Sequence, residues 1–87
     1  MYKLLKFSAD WCAPCKKSHI DLENNKLPFD NVTLIEYDVE ENVEEAEQYS
    51  IMNLPTFILL KDNCEIHRQV GYCGYTNLIN TIQSKIQ

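Results

Sequence analysis

The chain has 87 residues, of which 45% are hydrophobic, and a formal net charge of −5 at pH 7. This size predicts one domain over residues 1–87, and the composition excludes a disordered chain. The acidic balance, concentrated between Asp38 and Glu47, argues against nucleic acid as a partner. No apolar run reaches the ~20 residues that cross a membrane, and the first residues lack the pattern of a secretory signal, so we expect a cytoplasmic protein with no membrane partner.

The first two predicted elements are a buried strand and a helix. Tyr2 to Ser8 is short and apolar with one charge, which is typical of a buried strand. Residues 13 to about 25 predict a helix that ends before Pro28. Its expected core contacts are Ile20, Leu22 and Leu27.

A second strand and a short helix follow. Val32 to Val39 alternates branched and apolar residues in the manner of a strand. Glu40 to Tyr49 contains enough helix-forming residues for a short surface helix, and Asn42 is a suitable N-cap for it.

The last third predicts a hairpin and a final helix. Thr56 to Leu60 and Glu65 to Val70 read as strands joined by the polar residues 61–64. Thr76 can cap a helix whose apolar residues share one face, namely Leu78, Ile79, Ile82 and Ile86. The predicted order is βαβαββα, an α/β fold. A parallel crossover followed by an antiparallel hairpin predicts a four-stranded mixed sheet flanked by helices.

Two cysteines at the start of the first helix are the main chemical signal. Cys12 and Cys15 are separated by two residues, a spacing that allows a disulfide to close without moving the backbone. The unpaired N–H groups and dipole of a helix N-terminus stabilise a thiolate at Cys12, and the thiolate is the reactive form. Pro14 fits the first helical turn, where its missing N–H costs nothing. The pattern predicts a redox dithiol.

A zinc half-site is the alternative interpretation of this pair. It needs two more ligands, but Cys64 and Cys73 are separated by eight intervening residues and have no motif spacing. We therefore expect no metal, and we expect Cys64 and Cys73 to be free thiols.

The chain resembles the thioredoxin family over nearly its whole length. The resemblance rests on the motifs Phe7-Ser8-Ala9, Trp11-Cys12-Ala13-Pro14-Cys15-Lys16, Asp38-Val39-Glu40-Glu41-Asn42, Tyr49-Ser50-Ile51, Leu54-Pro55-Thr56-Phe57 and Val70-Gly71. It implies a minimal thioredoxin-like fold that lacks the N-terminal strand and helix of full-length thioredoxins. Such short forms are similar to the small thioredoxin-glutaredoxin hybrids of some phages and archaea.

The resemblance implies a thiol-disulfide oxidoreductase that reduces protein disulfides. Cys12 corresponds to the family's attacking cysteine and Cys15 to its resolving cysteine. The implied protein is a monomer that needs no cofactor besides the Cys12–Cys15 disulfide. A thioredoxin reductase or glutathione would supply its electrons, and ribonucleotide reductase is one acceptor that the family uses.

The family also suggests a shallow substrate groove around Cys12. In thioredoxins the proline that corresponds to Pro55 forms a cis peptide bond and faces the dithiol. The groove would be formed by Trp11, Ala13, Pro14, Leu54, Pro55, Gly71 and Tyr72.

Lys6 departs from the family pattern. Thioredoxins usually have a buried aspartate at this position, with a lysine partner at the position of Leu34. Glu36 lies two residues beyond Leu34 on the same strand face and is the expected partner of Lys6. We expect Lys6, Glu36 and Lys16 to tune the dithiol, although Lys6 could instead extend its ammonium group to solvent.

Two other functions remain open from the sequence. A glutathione-dependent, glutaredoxin-like oxidoreductase would suit the short length, but Ala13-Pro14 is closer to the Gly-Pro of thioredoxins than to the Pro-Tyr of glutaredoxins. A binding module with an idle dithiol would suit the loss of the buried acid.

Overall fold

A computed structural model describes residues 1–86 and confirms the predicted order βαβαββα. The elements are β1 (Tyr2–Ser8), α1 (Ala13–Asn24), β2 (Val32–Asp38), α2 (Val43–Gln48), β3 (Thr56–Lys61), β4 (Cys64–Val70) and α3 (Tyr75–Lys85). Among the described residues, no helix is both long enough and apolar enough to cross a membrane.

The four strands form one mixed sheet in the order β2-β1-β3-β4. β1 pairs with β2 in parallel and with β3 in antiparallel orientation, and β3 pairs with β4 in antiparallel orientation. β1 is therefore an inner strand with neighbours on both sides. The segment that follows β1 begins near the middle of the sheet, at the ends of the strands.

Helices cover both faces of the sheet. Since side chains alternate along a strand, Tyr2 and Leu4 of β1 pack against one face and Leu5 and Phe7 against the other. The first core also contains buried residues of α1 and α3, namely Leu22, Leu78, Ile82 and Ile86. The second core is covered by Ala46 and Tyr49 at α2. Lys6 shares the face of Tyr2 and Leu4, which is the face covered by α1.

The β3–β4 hairpin turns at Asp62 and Asn63. Both have positive φ angles, 51° and 69°. Positive φ at both central residues matches the two-residue turns whose twist suits a hairpin, and Asp and Asn tolerate this conformation better than other side chains with a Cβ. The turn thus arises from the polar residues that the sequence indicated.

Two local predictions, for Ile20 and Thr76, were wrong, and one, for Asn42, holds in position only. Ile20 is 54% exposed rather than in the core, because it faces away from the sheet on a largely polar helix. Asn42 occupies the N-cap position of α2, but its side-chain amide donates to the Asp38 carbonyl and caps no helix N–H. Gly74, not Thr76, is the N-cap residue of α3, which begins at Tyr75.

Candidate active site

The dithiol lies where β1 passes into α1. Cys12 is the N-cap residue of α1, and its sulfur accepts a hydrogen bond from the Cys15 N–H at 3.2 Å. The two cysteines form a disulfide with a Cα–Cα distance of 5.2 Å. No acidic residue lies in the first turn of α1, so no side chain there opposes the positive end of the helix. The geometry suits a disulfide that opens to give a stabilised Cys12 thiolate.

The backbone holds the dithiol at the end of the inner strand. The Cys12 N–H donates to the Ala9 carbonyl at 3.2 Å, and the Lys16 N–H donates to the Cys12 carbonyl at 3.1 Å. Cys12 is 6% exposed and Cys15 is 2% exposed. Cys15 is therefore the more buried of the two.

An apolar cavity of about 480 Å³, here called the Cys12 cavity, lies on one side of the dithiol. It is lined by Trp11, Cys12, Pro14, Val39, Ala46, Ile51, Met52, Asn53 and Leu54. Trp11 is 68% exposed and Met52 is 88% exposed. Large apolar side chains left in solvent beside a reactive group mark a surface that can bind another molecule.

The predicted groove is only partly the cavity that the structure shows. Trp11, Pro14 and Leu54 line the Cys12 cavity, and the Leu54–Pro55 bond is cis, as the resemblance implied. Gly71 lies next to Pro55, since its N–H donates to the Pro55 carbonyl at 2.8 Å. Ala13 is exposed in the first residue of α1.

Tyr72, the last of the predicted groove residues, contacts α1. Its hydroxyl donates to Asp21 of α1 at 2.6 Å, its ring centroid lies 6.1 Å from that of Phe57, and it does not line the Cys12 cavity. Burial, and then the hydrogen bond to Asp21, raise the pKa of Tyr72. The same bond, followed by the one from Lys17, lowers the pKa of Asp21. Tyr72 thus joins the loop before α3 to α1.

A second cavity, of about 760 Å³ and here called the Cys15 cavity, lies on the other side of the dithiol. Cys15 forms part of its wall, together with Lys6, Lys16, His19 and Glu36. Polar and ionisable groups therefore surround the approach to Cys15, whereas apolar side chains dominate the approach to Cys12.

Lys6 is 1% exposed, and its ammonium group lies 3.0 Å from Glu36 Oε1. The two residues are direct partners in the parallel pairing of β1 and β2, which explains why the strand positions predicted this contact. Lys6 does not reach solvent. The Glu36 side chain is 46% exposed, and the pair thus connects a buried cation to a carboxylate at the surface.

Glu36 also contacts α1. His19 Nδ1 lies 3.5 Å from Glu36 Oε1, and His19 Nε2 lies 2.7 Å from Glu23 Oε1. Burial alone would raise the pKa of Glu36, but the hydrogen bond and charge of Lys6, followed by those of His19, outweigh it and lower that pKa.

Residues that sequence reasoning missed lie in both cavities. Val39, Ala46, Ile51 and Met52 line the Cys12 cavity, and His19 lines the Cys15 cavity. The one available signal was the pair of apolar residues Ile51 and Met52 in the loop before Pro55. Adjacent apolar residues in a loop often have a binding function.

The other two cysteines, Cys64 and Cys73, are exposed free thiols, as predicted. Within residues 1–86, no group of three or more His, Cys, Asp or Glu side chains is placed to hold a metal ion.

Comparisons with known proteins agree on one family. The family model described as thioredoxin matches residues 2–84. A thioredoxin of Chlamydia trachomatis serovar D is 39% identical over 79 residues, which cover 91% of this chain and 78% of that protein. A thioredoxin of Chlamydia pneumoniae is 40% identical over 80 residues, which cover 88% and 78%. The X-ray structure of Fasciola hepatica thioredoxin superposes with a TM-score of 0.85 at 32% identity and covers 95% of this chain and 79% of that one.

Proposed function

This chain belongs to the thioredoxin family and is a thiol-disulfide oxidoreductase, and we propose that Cys12 attacks the disulfide of a protein substrate while Cys15 resolves the product. The Cys12 thiolate forms a mixed disulfide and releases the first substrate thiol. The Cys15 sulfur then attacks Cys12, the bond from Cys12 to the substrate breaks, and the second substrate thiol leaves. Two electrons pass from the dithiol to the substrate, and the Cys12–Cys15 disulfide forms.

The observation that carries these roles is the asymmetry of the two sulfurs. Cys12 caps α1 and, although only 6% exposed, lines the Cys12 cavity, which gives a substrate a route to its sulfur. Cys15 lies in the first turn, is more buried and lines the Cys15 cavity. A protein disulfide can therefore approach Cys12, whereas Cys15 is placed to react within the molecule.

The Cys12 cavity supports an extended peptide as the bound form of the substrate. Trp11, Pro14 and Leu54 supply apolar contacts around the reacting sulfur, and Met52 extends them. Ala13, Pro55 and Gly71 belong to the same end of the molecule in this proposal, with Pro55 and Gly71 joined by a backbone hydrogen bond.

We also propose an electron donor, an electron acceptor and a cellular location for this chain. A thioredoxin reductase or glutathione would reduce the disulfide, and ribonucleotide reductase is one acceptor consistent with family membership. The dithiol would work in the cytoplasm as a monomer, without a metal or an organic cofactor. Lys6, Glu36 and Lys16 would tune the dithiol, since all three line the Cys15 cavity.

Insulin reduction with dithiothreitol as electron donor tests the core of the proposal. The native chain should accelerate reduction of the insulin disulfides, and Cys12→Ser should abolish the acceleration. Equal rates for the two proteins would refute the proposed roles. Cys73→Ser is the matched control, because it removes an exposed thiol outside the dithiol. Parallel rates of reduction by glutathione and by NADPH with thioredoxin reductase identify the electron donor.

A further inference from the structure

The Cys15 cavity bears on the second step of the reaction, the attack by Cys15 on the mixed disulfide. When Cys15 attacks the mixed disulfide, its thiol must lose a proton, because only the thiolate is nucleophilic. Cys15 is 2% exposed, so bulk water has poor access to its sulfur. A proton acceptor must therefore be reachable from inside the cavity.

We propose that Glu36 accepts the proton from Cys15, that His19 passes it to solvent, and that the buried ammonium group of Lys6 stabilises the Cys15 thiolate. This inference deepens the proposed function, since it concerns the second step of the same reaction. The S–H bond of Cys15 breaks, the proton goes to the Glu36 carboxylate, and the Cys15 electron pair forms the bond to Cys12. The departing substrate sulfur keeps the electron pair of the broken disulfide and takes a proton from solvent.

The geometry of three side chains carries the proposal. Lys6, Glu36 and His19 all line the cavity that Cys15 lines. Glu36 Oε1 lies 3.0 Å from Lys6 Nζ and 3.5 Å from His19 Nδ1. The cavity volume of about 760 Å³ leaves room for water between Cys15 and the carboxylate, since one water occupies about 30 Å³.

The three side chains differ in burial, and each has a separate role in the proposed proton transfer. Lys6 is 1% exposed and lines the same cavity as Cys15, where a cation favours a thiolate over a thiol. Glu36 is half-exposed and bridges the buried amine to α1. His19 is 52% exposed and its other ring nitrogen reaches Glu23, so its imidazole connects Glu36 to solvent.

Other ionisable groups face the same cavity and are less suited to this role. They are Asp10, Lys16, Tyr37, Asp38 and Glu41. Asp38 already accepts the Glu40 N–H at 2.8 Å. Asp10 is an exposed carboxylate for which no ion pair is found within residues 1–86, which makes it the matched control for Glu36.

The experiment follows the reaction of the reduced chain with Ellman's reagent by stopped-flow absorbance. Cys64 and Cys73 are replaced by Ser in every protein, so that only the dithiol reacts. Attack by Cys12 releases the first thionitrobenzoate, and attack by Cys15 releases the second. The second phase therefore reports the proposed proton transfer directly.

Glu36→Gln should leave the first phase near the native rate and slow the second roughly 10²- to 10⁴-fold at pH 6, the contribution of a positioned general base. The native second phase should be nearly flat from pH 6 to 8. In Glu36→Gln it should rise about tenfold per pH unit until the Cys15 thiol itself ionises. Added imidazole should accelerate the second phase of Glu36→Gln and not that of the native chain. His19→Gln should slow the same phase about threefold, and Lys6→Met should raise the pH at which Cys15 reacts.

A native-like second phase in Glu36→Gln, or equal slowing in Asp10→Asn, would overturn the proposal. A slowed phase that imidazole does not restore would also overturn it, because a purely structural defect has that signature. His19→Gln keeps the proposal testable if Glu36→Gln does not fold, since His19 is a surface residue. Failure of insulin reduction by the native chain would count against the proposed function instead, because the Ellman reaction needs no protein substrate.

Discussion

The two cavities beside the dithiol differ in the side chains that line them. The Cys12 cavity is apolar and presents Trp11 and Met52 to solvent, whereas the Cys15 cavity is lined by the ion pair of buried Lys6 and half-exposed Glu36. Only one helical turn separates the two sulfurs, with 5.2 Å between their Cα atoms. In the proposed reaction this difference gives two identical thiols separate tasks, with Cys12 meeting the partner and Cys15 giving up its proton.

Cys15→Ser should have the largest effect, because it removes the sulfur of the Cys15 cavity. The variant keeps the Cys12 cavity and its nucleophile, so it should still attack a disulfide, but the mixed disulfide cannot resolve. We expect turnover of insulin to fall by at least about 10³-fold, as for loss of a nucleophile elsewhere. Covalent adducts between the chain and insulin should accumulate on non-reducing gels. Turnover comparable to that of Cys73→Ser would show that Cys15 is dispensable.

The Lys6–Glu36 pair offers the next largest effect, on stability. Glu36→Gln leaves the ammonium of Lys6 buried without its carboxylate, and we expect a loss of about 1–3 kcal/mol, below the cost for a fully buried pair because Glu36 is half-exposed. Lys6→Met should change stability by less than about 1 kcal/mol, since Glu36 can then be hydrated. Urea unfolding at pH 7 measures both, and the reverse order would show that Lys6 is not the dominant buried charge.

The same pair predicts a pH dependence. The pKa of Glu36 is lower in the folded chain than its ordinary value of 4.5. A lowered carboxyl pKa contributes stability that is complete above the unfolded value and is lost as pH falls through the folded value. The stability difference between the native chain and Glu36→Gln should therefore be constant above about pH 5.5 and shrink below about pH 4.5. A difference that persists at pH 3 would contradict this assignment.

Met52→Gln tests the apolar side with a smaller effect. If a bound substrate covers about 40 Å² of Met52, the lost burial is about 1 kcal/mol, or about a fivefold rise in KM for insulin. Met52 is 88% exposed, so the melting temperature should not change. Ile66→Gln is the control, because Ile66 is an exposed apolar residue of β4 that does not line the Cys12 cavity. Equal KM values for the two variants would argue against substrate contact at Met52.

Tyr72→Phe should have the smallest effect, and it tests whether Tyr72 belongs to the substrate groove around Cys12. Loss of the hydroxyl should raise the pKa of Asp21 toward its ordinary value of 3.8, which NMR titration measures. Any loss of stability should be greatest at neutral pH and disappear as Asp21 is protonated in both states. KM for insulin should not change, since Tyr72 does not line the Cys12 cavity. A raised KM would return Tyr72 to the substrate groove that the sequence suggested.

The polar side of the site was more predictable than the apolar side. Lys6 and Glu36 lie on adjacent parallel strands, and the two-residue period of a strand was enough to put them on one face. Val39, Ala46 and Met52 come together from the end of β2, from α2 and from the following loop, and no sequence period relates them. Thr76 and Gly74 show the same limit locally, because the true end of a helix depends on how the preceding loop enters it.

The sequence by itself determined the family, the order of the elements and the reactive pair, because these depend on motif spacing and on periods of two and 3.6 residues within single segments. It also determined that a lysine replaces the usual buried acid. Only the tertiary structure decided which groups surround each sulfur. The position of His19 near Glu36, the burial of Lys6 and the exposure of Met52 depend on how α1, α2 and the loop before Pro55 pack on the sheet. Those contacts join residues that are distant in the chain, and local propensity does not encode them.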